Sequence, residues 1–180
     1  MKAISRMIIG WIGDFKDLDG VVKEMFYLAR EVRKNAQAPY SHYLVGVAGQ
    51  SAKTDKIYRG CNVERGSWTQ TTHAEQAMLD SMVAAEGRGA PLARLVLLAG
   101  PESADMVLTP VVMKKREIWQ VKFSEIPAPC GHCLQCIWEN CLEDGSVEMY
   151  GLLPTGEVTM VTIDNAFPLK FGPADLGVKY

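Results

Sequence analysis

The sequence has no strong charge of either sign. It carries 19 Lys and Arg against 21 Asp and Glu, a net charge of −2 over 180 residues. That balance argues against a nucleic-acid polymer as partner, because gripping phosphates along a strand calls for a net basic field. Long apolar runs are also lacking. The longest near the start, residues 7–13, is too short to span a bilayer and ends at Asp14. It follows Lys2 and Arg6 as a signal peptide would, but no small-residue cleavage site comes after it, and a cytoplasmic protein is expected. There is no internal repeat, low-complexity tract or splitting linker, so one domain over residues 1–180 is expected. Cysteines are too few and too unevenly placed for a disulfide scaffold: there are five, and Cys130, Cys133, Cys136 and Cys141 fall together. An odd, clustered set points to a reducing compartment and to metal or thiol chemistry.

What is present is an ordinary globular composition, 48% hydrophobic and 22% charged. A chain of this length buries roughly 70% of its extended surface. Apolar residues at helical spacing predict a helix over 17–35, stopped by Ala38-Pro39. Strands are predicted at 43–49 and 56–63, with a polar hairpin turn between them. A helix from His73 to just before Gly87 has Thr71 or Thr72 as its expected cap. Residues 93–99 read as a buried strand, 130–142 as a helix, and 147–153 and 157–163 as strands. Trp119, Val121 and Phe123 alternate with polar residues, which suggests one strand more. The order predicts an α/β fold, three layers α-β-α, around a mixed sheet of about five strands.

Two short segments carry chemistry. His73-Ala74-Glu75 opens one predicted helix and Pro129-Cys130-Gly131-His132-Cys133 opens another. His-x-Glu followed by Pro-Cys-x-x-Cys matches the known pattern of zinc deaminases. Cys130 and Cys133 are three apart, so both thiols fall on one helical face and can hold one ion. The positive end of a helix favours the thiolate. With His73 as third ligand, one zinc position stays open for catalysis. Glu75 is about 200° around the helix from His73, so it is read as a proton carrier rather than a ligand. Three other readings stand beside this one. His132 could close a four-ligand structural site. Cys130, Cys133, Cys136 and Cys141 could hold an iron–sulfur cluster, although their spacing misses the ferredoxin run. Cys136, Cys141 and Cys61 are otherwise read as buried apolar residues.

These residues resemble the cytidine deaminase family over most of the chain. The run Pro39-Tyr40-Ser41-His42-Tyr43-Leu44-Val45-Gly46 is similar to the family's opening strand, and Gly60-Cys61-Asn62-Val63-Glu64 to its ribose-binding strand. His73-Ala74-Glu75-Gln76 and the Cys130–Cys133 segment resemble its zinc site, and residues 167–176 its C-terminal segment. The resemblance implies Zn2+ on His73, Cys130 and Cys133, Glu75 as the catalytic proton shuttle, and Asn62 and Glu64 on the ribose 3′-hydroxyl. It implies Tyr43, Ala74 and Trp68 as further substrate contacts. The implied reaction is hydrolytic deamination of cytidine or deoxycytidine with release of ammonia. The implied assembly is a homo-oligomer, dimer or tetramer, with no membrane partner. Members with a third cysteine at the His73 position often carry a nearby arginine; here positions 76 and 134 are Gln76 and Leu134, as a neutral histidine requires. An insert at about 104–127 and Arg65 motivate a second substrate class, a modified aminopyrimidine nucleoside or a nucleotide. A non-catalytic zinc-stabilised binding protein is the reading from another class.

Overall fold

The computed structural model describes residue 5, residues 7–108 and residues 125–178. Six strands form one sheet in the order β1-β6-β5-β4-β2-β3. They are β1 (Gly10–Asp14), β2 (Tyr43–Ser51), β3 (Ile57–Cys61), β4 (Leu92–Pro101), β5 (Glu148–Leu152) and β6 (Glu157–Thr162). The β4–β5 pair is parallel and all other pairs are antiparallel. The helices are α1 (Gly20–Arg33), α2 (Ala74–Glu86), α3 (Gly131–Asn140) and the single turn α4 (Ile163–Ala166). Among the described residues, no helix is long and apolar enough to cross a membrane.

Strand β4 shows why the architecture has three layers. From Leu95 to Ala99 its run is apolar without a break, so both faces need a cover. Leu95 and Leu97 face a core built from Met78, Leu79 and Met82 of α2 and Leu134 and Ile137 of α3. Val96 and Leu98 face a second core built from Val22, Met25, Phe26 and Ala29 of α1. Those four α1 residues recur at i, i+3, i+4 and i+7, the stripe an amphipathic helix buries.

Several expectations shift. The sheet has six strands rather than about five. The extra strand, β1, pairs with β6 in the register Gly10↔Val161 to Asp14↔Glu157. Its partner lies about 150 residues away in sequence, and its two glycines hide its periodicity. Helix α1 starts after Asp19, whose side chain accepts the Val22 N–H at 2.8 Å, and ends at Arg33 rather than at 35. Residues 34–36 turn back onto the carbonyls of Glu31, Val32 and Arg33, because Gln37 is drawn off to bridge Val63. Neither Thr71 nor Thr72 caps α2: His73 occupies the cap, and Thr72 exchanges backbone hydrogen bonds with Val63. The insert at about 104–127 falls mostly, and the strand expected around Trp119 wholly, outside the described residues.

Two contacts fix where the helix starts lie. Arg33 is 7% exposed. Its guanidinium donates to the carbonyls of Leu44 at 3.0 Å, Gly100 at 2.9 Å and Pro101 at 2.7 Å, so the last residue of α1 ties the start of β2 to the end of β4. At Gly60 in β3, an added Cβ would stand 2.2 Å from the Ala74 carbonyl oxygen and 2.5 Å from the Met78 nitrogen. Glycine there is what lets α2 lie directly on the strand. Gly60→Ala should therefore cost about 1–3 kcal/mol, the range for overpacking a tight contact, read as a lower urea midpoint with unchanged slope. Wild-type stability in that variant would show that the approach is not a constraint.

Candidate active site

The N-terminal ends of α2 and α3 meet beside the C-terminal end of β4. His73 and Cys130 are the two cap residues, both extended, at φ −77° and ψ 151° and at φ −68° and ψ 167°. Neither side chain caps its own helix, so both are free to point at each other. His73 Nδ1 lies 3.5 Å from Cys130 Sγ and 3.4 Å from Cys133 Sγ. Among the described residues this is the one group of three or more His, Cys, Asp or Glu, with ligand atoms within 4.8 Å of one another, that could hold an ion. Cys130 therefore precedes the helix rather than lying on its face, while Cys133 sits in the first turn, fully buried.

The donor set fits zinc. A tetrahedral ion with bonds of about 2.3 Å to sulfur and 2.0 Å to nitrogen holds those atoms about 3.6 Å apart, close to the spacing found. Burial, then the Glu75 carboxylate and Cys130, push the Cys133 thiol far above its usual range. A buried thiolate among such neighbours needs a cation. His132 does not join the cluster. Its ring stands 5.5 Å from that of His73, and its Nε2 lies 3.9 Å from Cys136 Sγ. The four-cysteine reading also fails on geometry: Cys141 is buried with its thiol on the Trp138 carbonyl at 3.1 Å. Burial raises the Cys141 thiol to about 11. Cys136 and Cys61 are half-buried, less enclosed than the sequence suggested.

The cluster opens into a cleft of about 740 Å³, within the size range of small-molecule sites. His73, Ala74, Glu75 and Cys130 line its inner end. Glu75 is 5% exposed in the first turn of α2, and Ala74 is 1% exposed. Ser41, Tyr43, Asn62 and Glu64 line another part of the wall. Strand β3 ends at Cys61, so Asn62 and Glu64 lie just past it. Val63 between them is held by bridges to Gln37 and Thr72, and the extended chain keeps its neighbours on one side. Asn62 accepts the Val45 N–H at 2.8 Å and donates to the Tyr43 carbonyl at 2.9 Å. Hydrogen bonds from the Ser41 hydroxyl, then from the Tyr40 and Ser41 N–H groups, hold the Glu64 carboxyl below its usual range.

Tyr43 and Trp68 border the cleft but remain 45% and 62% exposed. Trp68 packs on Tyr40, ring centres 5.6 Å apart. Arg65 is exposed and does not line the cleft; its N–H goes to Thr71 Oγ1 at 3.2 Å. The sequence reading missed three contributors: Ser41, the β4 residues Leu97 and Ala99, and the stretch around Ile126 and Pro127. Ser41 lies within the run similar to the family's opening strand, and its place two residues before Tyr43 is the available signal. Leu97 and Ala99 look like any buried strand. Pro127, at the far end of the expected insert, packs on Gly151 of β5, which has no side chain to obstruct it.

The chain is similar to known proteins in sequence and fold. A family model described as "Cytidine and deoxycytidylate deaminase zinc-binding region" matches residues 21–148. A cytidine deaminase of Sporosarcina psychrophila is 28% identical over 155 residues, covering 86% of this chain and 94% of that protein. The crystal structure of cytidine deaminase from Burkholderia pseudomallei is similar at TM-score 0.61 and 25% identity, covering 83% of this chain and 98% of that one. Cytidine deaminase from Mycobacterium tuberculosis gives 0.59 at 23% identity, over 87% of this chain and 99% of that one, a likeness of fold alone. Matched from the first turn of α1 to the first residue of β5, the chain belongs to the cytidine and deoxycytidylate deaminase family.

Proposed function

We propose that this protein is a zinc-dependent hydrolase that deaminates cytidine or deoxycytidine to uridine or deoxyuridine and releases ammonia. The observation that carries the reading is the three-ligand cluster of His73, Cys130 and Cys133 at the inner end of a cleft that also holds Glu75, Asn62 and Glu64. Three protein ligands leave a fourth zinc position for water, which a purely structural four-ligand site would not. The relatives named above are cytidine deaminases, and their near full-length coverage supports the same reading.

Zinc held by these residues supplies a Lewis acid and a water whose pKa falls towards about 7. The two thiolates would balance the ion's charge. Glu75 does the proton work. Its carboxylate would take a proton from the water and give it to ring N3, which opens C4 to addition of the remaining hydroxide. Glu75 would then take the proton of the added hydroxyl and carry it to the exocyclic nitrogen; the C4=O bond forms as the C4–N bond breaks, and ammonia leaves. Enclosure by Ala74 and the buried wall keeps bulk water from short-circuiting these transfers. Asn62 and Glu64 hold the sugar, and Tyr43 and Trp68 flank the pyrimidine. Free nucleosides suit the cleft better than nucleotides, because Arg65, the cation that motivated a phosphate, lies off its lining.

The five cysteines are all free, which agrees with a reducing, cytoplasmic setting. We also propose a single domain that assembles as a homo-oligomer, on the family resemblance.

Glu75→Ala should reduce ammonia release from cytidine by about 10²- to 10⁴-fold, the usual contribution of general acid–base transfer, while metal analysis still finds zinc. Full turnover in that variant would refute the shuttle. Cys133→Ala should lose zinc on dialysis and with it activity; retention of a full complement of metal would remove Cys133 from the ligand set. Rates on cytidine, deoxycytidine and their monophosphates test the substrate class, and a clear preference for a phosphate would reject the nucleoside.

A further inference from the structure

The turn at residues 40–42 is wound around the Glu64 carboxylate. Glu64 Oε2 accepts the N–H of Tyr40 at 3.0 Å and of Ser41 at 3.2 Å, and Oε1 accepts the Ser41 hydroxyl. Ser41 Oγ in turn accepts the Tyr43 N–H at 3.1 Å. A hydroxyl has one proton, so these two bonds fix its direction: it donates to Glu64 and can donate nowhere else. His42 adopts a left-handed φ of 54°, which closes the turn. Ser41 is exposed whereas Glu64 is 5% exposed, and both line the same cleft.

A carboxylate offers about four lone-pair sites. Three are taken by this single turn, and all three partners are donors. The site left over accepts one further donor and repels an anion. We propose that Ser41 is a positioning residue: its hydroxyl holds the Glu64 carboxylate in the one orientation that presents its remaining acceptor site to a sugar hydroxyl of the substrate. The inference rests on the nucleoside reading given above and deepens it. Tyr43 enters the same relay through its backbone, so the hydroxyl also couples the aromatic side of the cleft to the sugar side. Without it, Oε1 loses its fixed donor, the terminal torsion of Glu64 is freed, and the ligand has to supply the ordering.

The test compares two ligands on the zinc-loaded protein by titration calorimetry: the product nucleoside uridine, and 3′-deoxyuridine, which lacks the hydroxyl in question. The wild-type protein should bind uridine more tightly by about tenfold, the scale of a hydrogen bond to a charged group. Ser41→Ala removes one exposed oxygen. It should weaken uridine by about tenfold and leave 3′-deoxyuridine nearly unchanged, so that discrimination between the two disappears. Ser41→Thr keeps the hydroxyl and should restore it. A merely structural role would weaken both ligands together and lower the melting temperature. Wild-type discrimination in Ser41→Ala, or equal loss for both ligands, overturns the role of Ser41 alone. Failure of the wild-type protein to bind either ligand overturns the nucleoside function, and this inference with it.

Discussion

Everything at the inner end of the cleft depends on two helix starts being held against each other. His73 and Cys130 are 57 residues apart, yet their ligand atoms stand 3.5 Å apart. No local preference can achieve that. It is achieved by the core under α2 and α3, where Met78, Leu79 and Met82 meet Leu134 and Ile137 over β4. Gly60 removes a side chain that would meet the α2 backbone and hold the helix off the sheet. Both cap residues forgo capping their own helices. The helix ends thus keep their partial positive charge facing the sulfurs, where it favours the thiolate that a cation can bind over a buried neutral thiol.

The rest of the cleft is built by a different device. Its wall is the start of β2, the end of β4 and the chain just past β3. Arg33 binds the first two together through three carbonyls, and Asn62 binds the third to β2 through both ends of its amide. A buried guanidinium with only carbonyl partners is a costly choice unless each donor is used well. Here it fixes backbone from two strands whose ends would otherwise fray. The same β4 end then supplies Ala99 to the cleft lining.

How much of this was legible in the sequence follows from the range of the interactions. The His73-x-Glu75 and Cys130-x-x-Cys133 pairs were legible as residue types at a short spacing, but their direction was not, because His73 and Cys130 are extended cap residues just outside the helices. Helices α1, α2 and α3 and strands β2, β3, β4, β5 and β6 were readable because their apolar residues recur at a fixed period. Strand β1 was not: it is five residues long, two of them glycine, and what makes it a strand is β6. The caps were misread for a related reason. Thr71 and Thr72 are good caps in isolation, but Thr71 Oγ1 takes the Arg65 N–H and the Thr72 backbone pairs with Val63, so the helix start passes to His73. Arg33 reads as one more basic residue at a helix end until the ends of β2 and β4 are brought around it. Glu64 stands out in the sequence only through the family resemblance, and its tie to Ser41 arises only when a turn closes 23 residues upstream of the carboxylate.

The two ends of the cleft therefore answer to separate constraints. At the end formed by His73, Cys130 and Cys133, two thiolates would balance a divalent ion, and Gln76 and Leu134 put no extra cation at the neighbouring helix positions. At the other end, the Glu64 carboxyl is held below its usual range chiefly by the Ser41 hydroxyl and by N–H donors. On the nucleoside reading proposed above, its negative charge would disfavour an anion and favour a hydroxyl donor. The candidate ligand cluster sits on helix starts, and the turn around Glu64 sits at strand ends. On the reading proposed above, substitutions in the turn at 40–42 would retune which sugar is held without moving a metal ligand.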